Sequence, residues 1–233
     1  TAPVWILLQP RDYLNSFLLY AMMGGAVLGI IIYRPTIQLE AVTAFNLGNR
    51  QLLFPMLFVT VACGAISGFH SLVASGTTAK QIDNEKDALP IGYGGMLIEG
   101  ALAVIALITA AYLSQGELNE LLAGGPVNVF ATGVGTFMSQ FGIPFETGKT
   151  FVALAVSAFA LTSLDTATRL GRFIFQEYFE GSEGKSDSPL TNMYVSTLIT
   201  VVLGSLLAAG GYKAIWPIFG SANQLLSALA LMT

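Results

Sequence analysis

Charge is scarce in this chain. Asp, Glu, Lys and Arg make up 10% of its 233 residues, against roughly 25% in soluble domains. Cysteine is nearly absent, and Cys63 alone excludes an internal disulfide framework or a multi-cysteine metal site. Histidine is as rare: His70 has no second histidine beside it, which argues against a zinc centre. No basic stripe is available for nucleic acid, and the net charge of −4 carries little weight in so apolar a chain. The start shows neither a charged leader region nor a small-residue cleavage site, so it does not read as a signal peptide.

Apolar residues supply 54% of the chain. They gather in six blocks, 17–33, 52–75, 91–113, 151–168, 193–212 and 214–233. Most approach the roughly 20 residues a helix needs to cross about 30 Å of hydrocarbon. Six in succession leave no soluble surface to enclose them, so the expected fold is an all-α integral membrane protein. The chain begins at Thr1 and ends at Thr233 within apolar sequence, which reads as part of a longer, transporter-sized protein. Basic residues in the short connections set the orientation. Arg11, Lys80, Lys86, Arg169, Arg172 and Lys185 would face the cytoplasm, and Arg34, Arg50, Lys149 and Lys213 the outside. Residues 114–150 would then form an external loop. Val129, Val134, Phe137, Met138 and Phe141 recur there at near-helical spacing, which predicts a short helix pair over the external mouth or a surface helix with no gating role.

The stretch "CGAISGFHSLVASGTT" (63–78) is oddly polar for the second half of a membrane span. Gly64, Ser67, Gly68 and Ser71 fall three and four apart, so they share a face if the segment stays helical. Small residues on such a face let two helices pack closely. Alternatively the helix is broken, and its freed amides and carbonyls line a wet cavity. Phe69 and His70 among the small residues favour the break, because close packing gains nothing from an imidazole. His70 is the one side chain with an ordinary pKa near neutrality, suited to carrying a proton or touching a ligand.

Other polar groups sit at depth. Glu99 lies about nine residues into its block, where a carboxylate must be paired, protonated or wet. Thr162 and Ser163 precede Asp165, and these hard oxygens suit an alkali cation better than a transition metal. Asp165 and Arg169 are spaced to pair along one helix face. Asn223 and Gln224 place amides in the last block, after Pro217 and Gly220, which would loosen the helix.

Long strings carry a resemblance. "PRDYLNSFLLY", "ACGAISGFHSLVASGTTAKQI", "DALPIGYGGMLIEGALAVIALI", "ALTSLDTATRLGRFI" and "KAIWPIFGSANQLLSALAL" closely resemble the carbon starvation protein family (CstA), from about Trp5 to the last residue, in order and without a large gap. The resemblance implies an importer of pyruvate or short peptides across the bacterial inner membrane during carbon starvation. It also implies a LeuT-type inverted-repeat fold of the amino acid–polyamine–cation superfamily. The six blocks would be the fifth to tenth helices of its core, residues 1–233 forming the second repeat, with 63–78 on a discontinuous helix. The first repeat, absent here, would be an obligatory partner, beside lipid and the solute.

On that basis the expected substrate contacts are Gly64, Ser67, Gly68, Phe69, His70, Ser71, Asn223 and Gln224. Thr162, Ser163, Asp165 and Glu99 are the expected coupling residues. No cofactor is expected beyond sodium ions or protons, and no nucleic acid. An intramembrane serine hydrolase using Ser67 or Ser71 with His70 is the alternative, as is a membrane sensor without transport. Positions this close on one helix seldom give nucleophile–base geometry, and no GxSxG turn is present.

Overall fold

A computed structural model describes residues 4–42, 67–179 and 189–232, with isolated positions at 45, 53, 54, 57 and 61. The described chain is helical: α1 (Val4–Tyr33), α2 (Gly68–Gly76), α3 (Ala88–Ala111), α4 (Gln115–Ala123), α5 (Pro126–Ser139), α6 (Phe145–Phe179), α7 (Met193–Ala209) and α8 (Tyr212–Met232). Short 3-10 turns stand at Thr78–Lys80, Glu85–Asp87 and Pro189–Thr191. No strand occurs among the described residues.

Three segments are long and apolar enough to cross a membrane: Gln9–Tyr33, Glu85–Ala111 and Phe145–Phe179. Only 17%, 11% and 11% of their apolar windows are buried within the protein. Surfaces so apolar and so exposed are suited to hydrocarbon and not to water. Three of the expected six spans thus meet that length and composition among the described residues. Met193–Ala209 and Ile218–Met232 are shorter apolar helices, and block 52–75 lies largely outside the described residues.

Boundaries also differ from the apolar blocks, because helical hydrogen bonding does not stop where hydropathy does. The polar "PRDYLNS" belongs to α1, which continues through Pro10. Proline costs one bond there, early in the helix, and membrane helices tolerate that. Helix α6 begins at Phe145, six residues before its apolar block, and its 35 residues extend about 50 Å. That exceeds about 30 Å of hydrocarbon, so part of α6 must leave it. Helix α8 runs unbroken past residues 217 and 220.

Contacts divide the chain into two compact units. The first comprises 2–43 and 89–163, hence α1, α3, α4, α5 and the start of α6. Its core joins Met22 and Ala26 of α1, Ile105 of α3, Ala131, Val134 and Met138 of α5, and Val152 and Ala155 of α6. Helix α5 is thus no surface helix. It lies in the middle of this unit, with Val129, Val134, Phe137 and Met138 all buried. Small residues make that possible. A Cβ at Gly29 would lie 2.6 Å from the Phe137 carbonyl carbon, and one at Gly133 2.6 Å from Thr109 Cβ. Gly29→Ala should therefore lower stability by about 1–3 kcal/mol, read as a lower melting temperature in detergent. Gly24→Ala, with nothing within 4 Å of its Cβ, should leave melting unchanged; equal effects would refute the close approach.

Residues 114–150 hold α4, α5 and the first residues of α6. Gly125 at φ 96° makes the turn between α4 and α5, and Pro126 starts α5 with its ring at the first helical position. A reciprocal cap starts α4. Ser114 Oγ accepts from the Glu117 N–H at 3.4 Å, and Glu117 Oε2 accepts from the Ser114 N–H at 3.0 Å and hydroxyl at 2.7 Å. The hydroxyl bond first, then the backbone bond, holds the Glu117 carboxyl below its ordinary pKa. A depressed acid contributes stability above its unfolded value of about 4.3, and loses it as pH falls through the lower folded value. Amide exchange in α4 should accelerate selectively in that window. Glu117→Gln should abolish this pH dependence, and identical pH profiles in both proteins would contradict the cap.

The second unit comprises 44–88 and 164–233, with α2, the rest of α6, α7 and α8. Asn192 caps α7 by accepting the Tyr194 N–H at 2.9 Å. Gly211 at φ 103° turns the chain from α7 into α8.

Candidate functional site

Helix α2 begins at Gly68, within the polar stretch, and Ser67 before it is extended (φ −114°, ψ 128°). Gly64 and the chain leading into this start lie outside the described residues. Four amides at a helix start lack internal partners, and two of them are met by side chains here. Ser67 Oγ accepts the His70 N–H at 3.3 Å, and Asn223 Oδ1, reaching from α8, accepts the Phe69 N–H at 2.7 Å. Ser67 Oγ lies 3.5 Å from Asn223 Oδ1 and from its Nδ2.

The approach of α8 is close enough to require glycine. A Cβ at Gly68 would collide with the Asn223 backbone oxygen and lie 2.8 Å from Leu226 Cβ. Asn223 and Ser227, one turn apart on α8, are both buried. The two readings of the glycines are therefore not exclusive: Gly68 packs α2 against α8 and also begins a helix.

Ser67, Gly68, Phe69 and Asn223 are brought together. Ser71 adjoins them, but its hydroxyl donates back to the Gly68 carbonyl at 2.8 Å. His70 is exposed and Gln224 half-buried. Ser67 Oγ thus meets the His70 amide and the Asn223 side chain, and the Ser71 hydroxyl meets the Gly68 carbonyl. Chemically, the start of α2 is a positive helix end filled by a neutral amide oxygen.

The coupling residues are distributed differently. Thr162 lies in the first unit, where Oγ1 accepts from Asn15 Nδ2 at 3.0 Å and donates to the Ala158 carbonyl at 3.2 Å. Asn15 is 9% exposed, so its amide depends on this bond. Ser163 is exposed, and Glu99 is half-buried on α3. Asp165 pairs with Arg169 at 3.5 Å. Neither Asn15 nor Ser227 stood out in the sequence. Their signal was a single polar residue on an apolar helix face, too common to single out a partner. Among the described residues no group of three His, Cys, Asp or Glu could hold a metal.

One concavity in the first unit, about 250 Å³, is lined by Tyr33, Arg34, Pro35, Thr36, Gln38 and Tyr112. Burial raises the Tyr112 phenol above its ordinary pKa, against a hydrogen bond with Thr136. Tyr112 is therefore neutral throughout the physiological range. Arg34 takes a left-handed conformation (φ 51°), uncommon for a residue with a Cβ.

The sequence profile of the family described as Carbon starvation protein CstA matches residues 1–123 and 115–233. The chain belongs to the CstA family. Its relatives include the peptide transporter CstA of Escherichia coli K12, 34% identical over 295 residues that cover 99% of this chain and 42% of the relative. The peptide transporter CstA of Bacillus subtilis 168 is 31% identical over 99% of this chain and 45% of its own length. The pyruvate/proton symporter BtsT of Escherichia coli K12 is 31% identical over 99% and 43%. The chain thus spans less than half the length of these curated relatives. Aligned lengths of 295, 273 and 314 residues exceed the 233 of this chain. These relatives therefore carry residues within the aligned stretch that this chain lacks. The two matched pieces meet at 115–123, in α4. No solved structure is significantly similar to the chain.

Proposed function

We propose that this chain is part of the core of a secondary active transporter that imports a small carboxylate such as pyruvate, or short peptides. Transport proceeds by alternating access around a discontinuous helix that resumes at Gly68. The supporting observation is the start of α2, held by Asn223 of α8 in a chain whose relatives are named as peptide transporters and a pyruvate/proton symporter. Carboxylates accept backbone N–H bonds more strongly than neutral amides do. A substrate carboxylate would displace Asn223 Oδ1 from the Phe69 N–H, with Ser67 and Ser71 as further contacts and His70 as a switchable charge. Displacement would loosen α2 from α8, coupling binding to movement. The remaining features of this reading are a LeuT-type inverted repeat with six spans, placed in the bacterial inner membrane and used in carbon starvation.

The decisive test of function is uptake by the full-length protein in proteoliposomes, comparing labelled pyruvate and a dipeptide under separate sodium and proton gradients. Uptake of neither would refute the reading. Coupling is tested at Thr162. Two of the three hydrogen-bonding positions of its hydroxyl are taken, leaving one lone pair for a cation. Thr162→Val should raise the sodium concentration needed for uptake. It should also cost about 1–3 kcal/mol by orphaning the Asn15 amide, whereas Thr162→Ser should restore both properties. Uptake indifferent to sodium in all three proteins would exclude the cation role and transfer coupling to protons at His70 or Glu99.

A further inference from the structure

Arg172 is 7% exposed and lies on α6, in the second unit. Its Nε is buried and has no hydrogen-bond partner among the described residues. Its guanidinium carbon stands 4.8 Å from the centre of the Phe173 ring. Lys80, in the 3-10 turn after α2, brings its Nζ within 5.4 Å of the same ring centre. Neither cation forms an ion pair among the described residues. The Asp165 carboxylate, about two turns earlier on α6, pairs with Arg169 at 3.5 Å. A ring face offsets only part of the cost of burying the Arg172 charge, so that guanidinium calls for an anion, and Lys80, exposed beside the same ring, adds a second positive charge.

The surroundings say which kind. Phe173 is 44% exposed, and beyond it on α6 Ile174, Tyr178 and Phe179 are exposed as well. Phe179 packs against Phe175 and Tyr178, with ring centres 4.8 and 5.2 Å apart. Exposed aromatics clustered at the end of an apolar helix mark the depth of the headgroups. A soluble anion would meet cations in a hydrated cleft, whereas these stand beside an exposed apolar surface. Basic pockets at the ends of membrane helices recognise anionic lipid headgroups.

We propose that Arg172 and Lys80 form a site for the phosphate of an anionic phospholipid, seated against Phe173 and tying the turn after α2 to α6. Arg172 donates to phosphate oxygens, Lys80 supplies a second charge, and the acyl chains lie along the exposed face of α6. This site depends on the membrane location of the chain and not on what it transports.

The test is thermal melting of the full-length protein in detergent with added phosphatidylglycerol, phosphatidylcholine or inorganic phosphate. Phosphatidylglycerol should raise the melting temperature by several degrees and the other two should not. Arg172→Gln and Lys80→Gln should each lose most of that rise. Should Arg172→Gln fail to fold, Lys80→Gln carries the same readout, and native mass spectrometry should show it retaining less phosphatidylglycerol than the unaltered protein. An undiminished rise in the substituted proteins would overturn the site. Equal protection by phosphatidylcholine would show a nonspecific lipid effect, and equal protection by inorganic phosphate would assign the site to a soluble anion; either result overturns the proposal.

Discussion

Gly68→Ala should sharply reduce uptake and lower the melting temperature of the full-length protein. The added methyl would meet the Asn223 backbone oxygen and Leu226 Cβ. Neither is the yielding end of a long side chain, so α2 and α8 must separate. Overpacking of this kind costs about 1–3 kcal/mol. It would also carry Asn223 Oδ1 out of its 2.7 Å bond to the Phe69 N–H. Uptake per folded molecule should fall at least roughly tenfold, the equivalent of about 1.4 kcal/mol. Gly94→Ala, on α3 with nothing within 4 Å of its Cβ, should be silent in the same assay. Unchanged uptake and melting in Gly68→Ala would mean that α8 does not approach α2 this closely.

A second substitution separates packing from recognition. Asn223→Asp keeps the shape of the side chain and exchanges its amide for a carboxylate. At a positive helix end, with the Phe69 N–H in reach, that carboxylate should bind its donor more strongly than the amide does. It would imitate the substrate and occupy its place. Folding should survive, and affinity for a carboxylate solute should drop about 10- to 100-fold, the range of roughly 1.4–2.8 kcal/mol. Asn223→Ala differs in kind: it orphans the Phe69 amide at a cost of about 1–3 kcal/mol, so it should destabilise the protein. Binding by Asn223→Asp as tight as in the unaltered protein would place the solute elsewhere.

Local features of this site were legible in the sequence and distant ones were not. Two glycines with serines inside an apolar run indicate a helix irregularity, and α2 does begin at Gly68. Asn223 is conspicuous as an amide in apolar sequence. Nothing in either stretch says that they meet, because Phe69 and Asn223 are 154 residues apart and no periodicity encodes such a pairing. The same holds for Asn15 and Thr162, separated by 147 residues.

The burial of helix α5 was not legible for a different reason. Gly133 and Gly135 lower its apparent hydropathy, yet they are what lets Thr109 and the backbone of Lys149 come within reach. In a membrane, small residues signal proximity where hydropathy signals only solvent. Arg172 counted only as one of the basic residues facing the cytoplasm, because its burial on α6 depends on helices that sequence spacing alone cannot place.

Replacement of Asn223 by the substrate carboxylate at the Phe69 amide is open to direct observation. Solid-state NMR on the full-length protein in lipid, with 15N at Phe69 and a 13C-labelled carboxylate solute that it transports, measures this directly. A hydrogen-bonded N–H···O contact of about 2.7–3.2 Å between heavy atoms would bring the carboxylate carbon to about 4 Å from the amide nitrogen. Strong dephasing between the two nuclei is expected at saturating solute, with loss of the coupling between Phe69 and the Asn223 side chain. Saturated binding with no dephasing, and with the Phe69–Asn223 coupling intact, would contradict it.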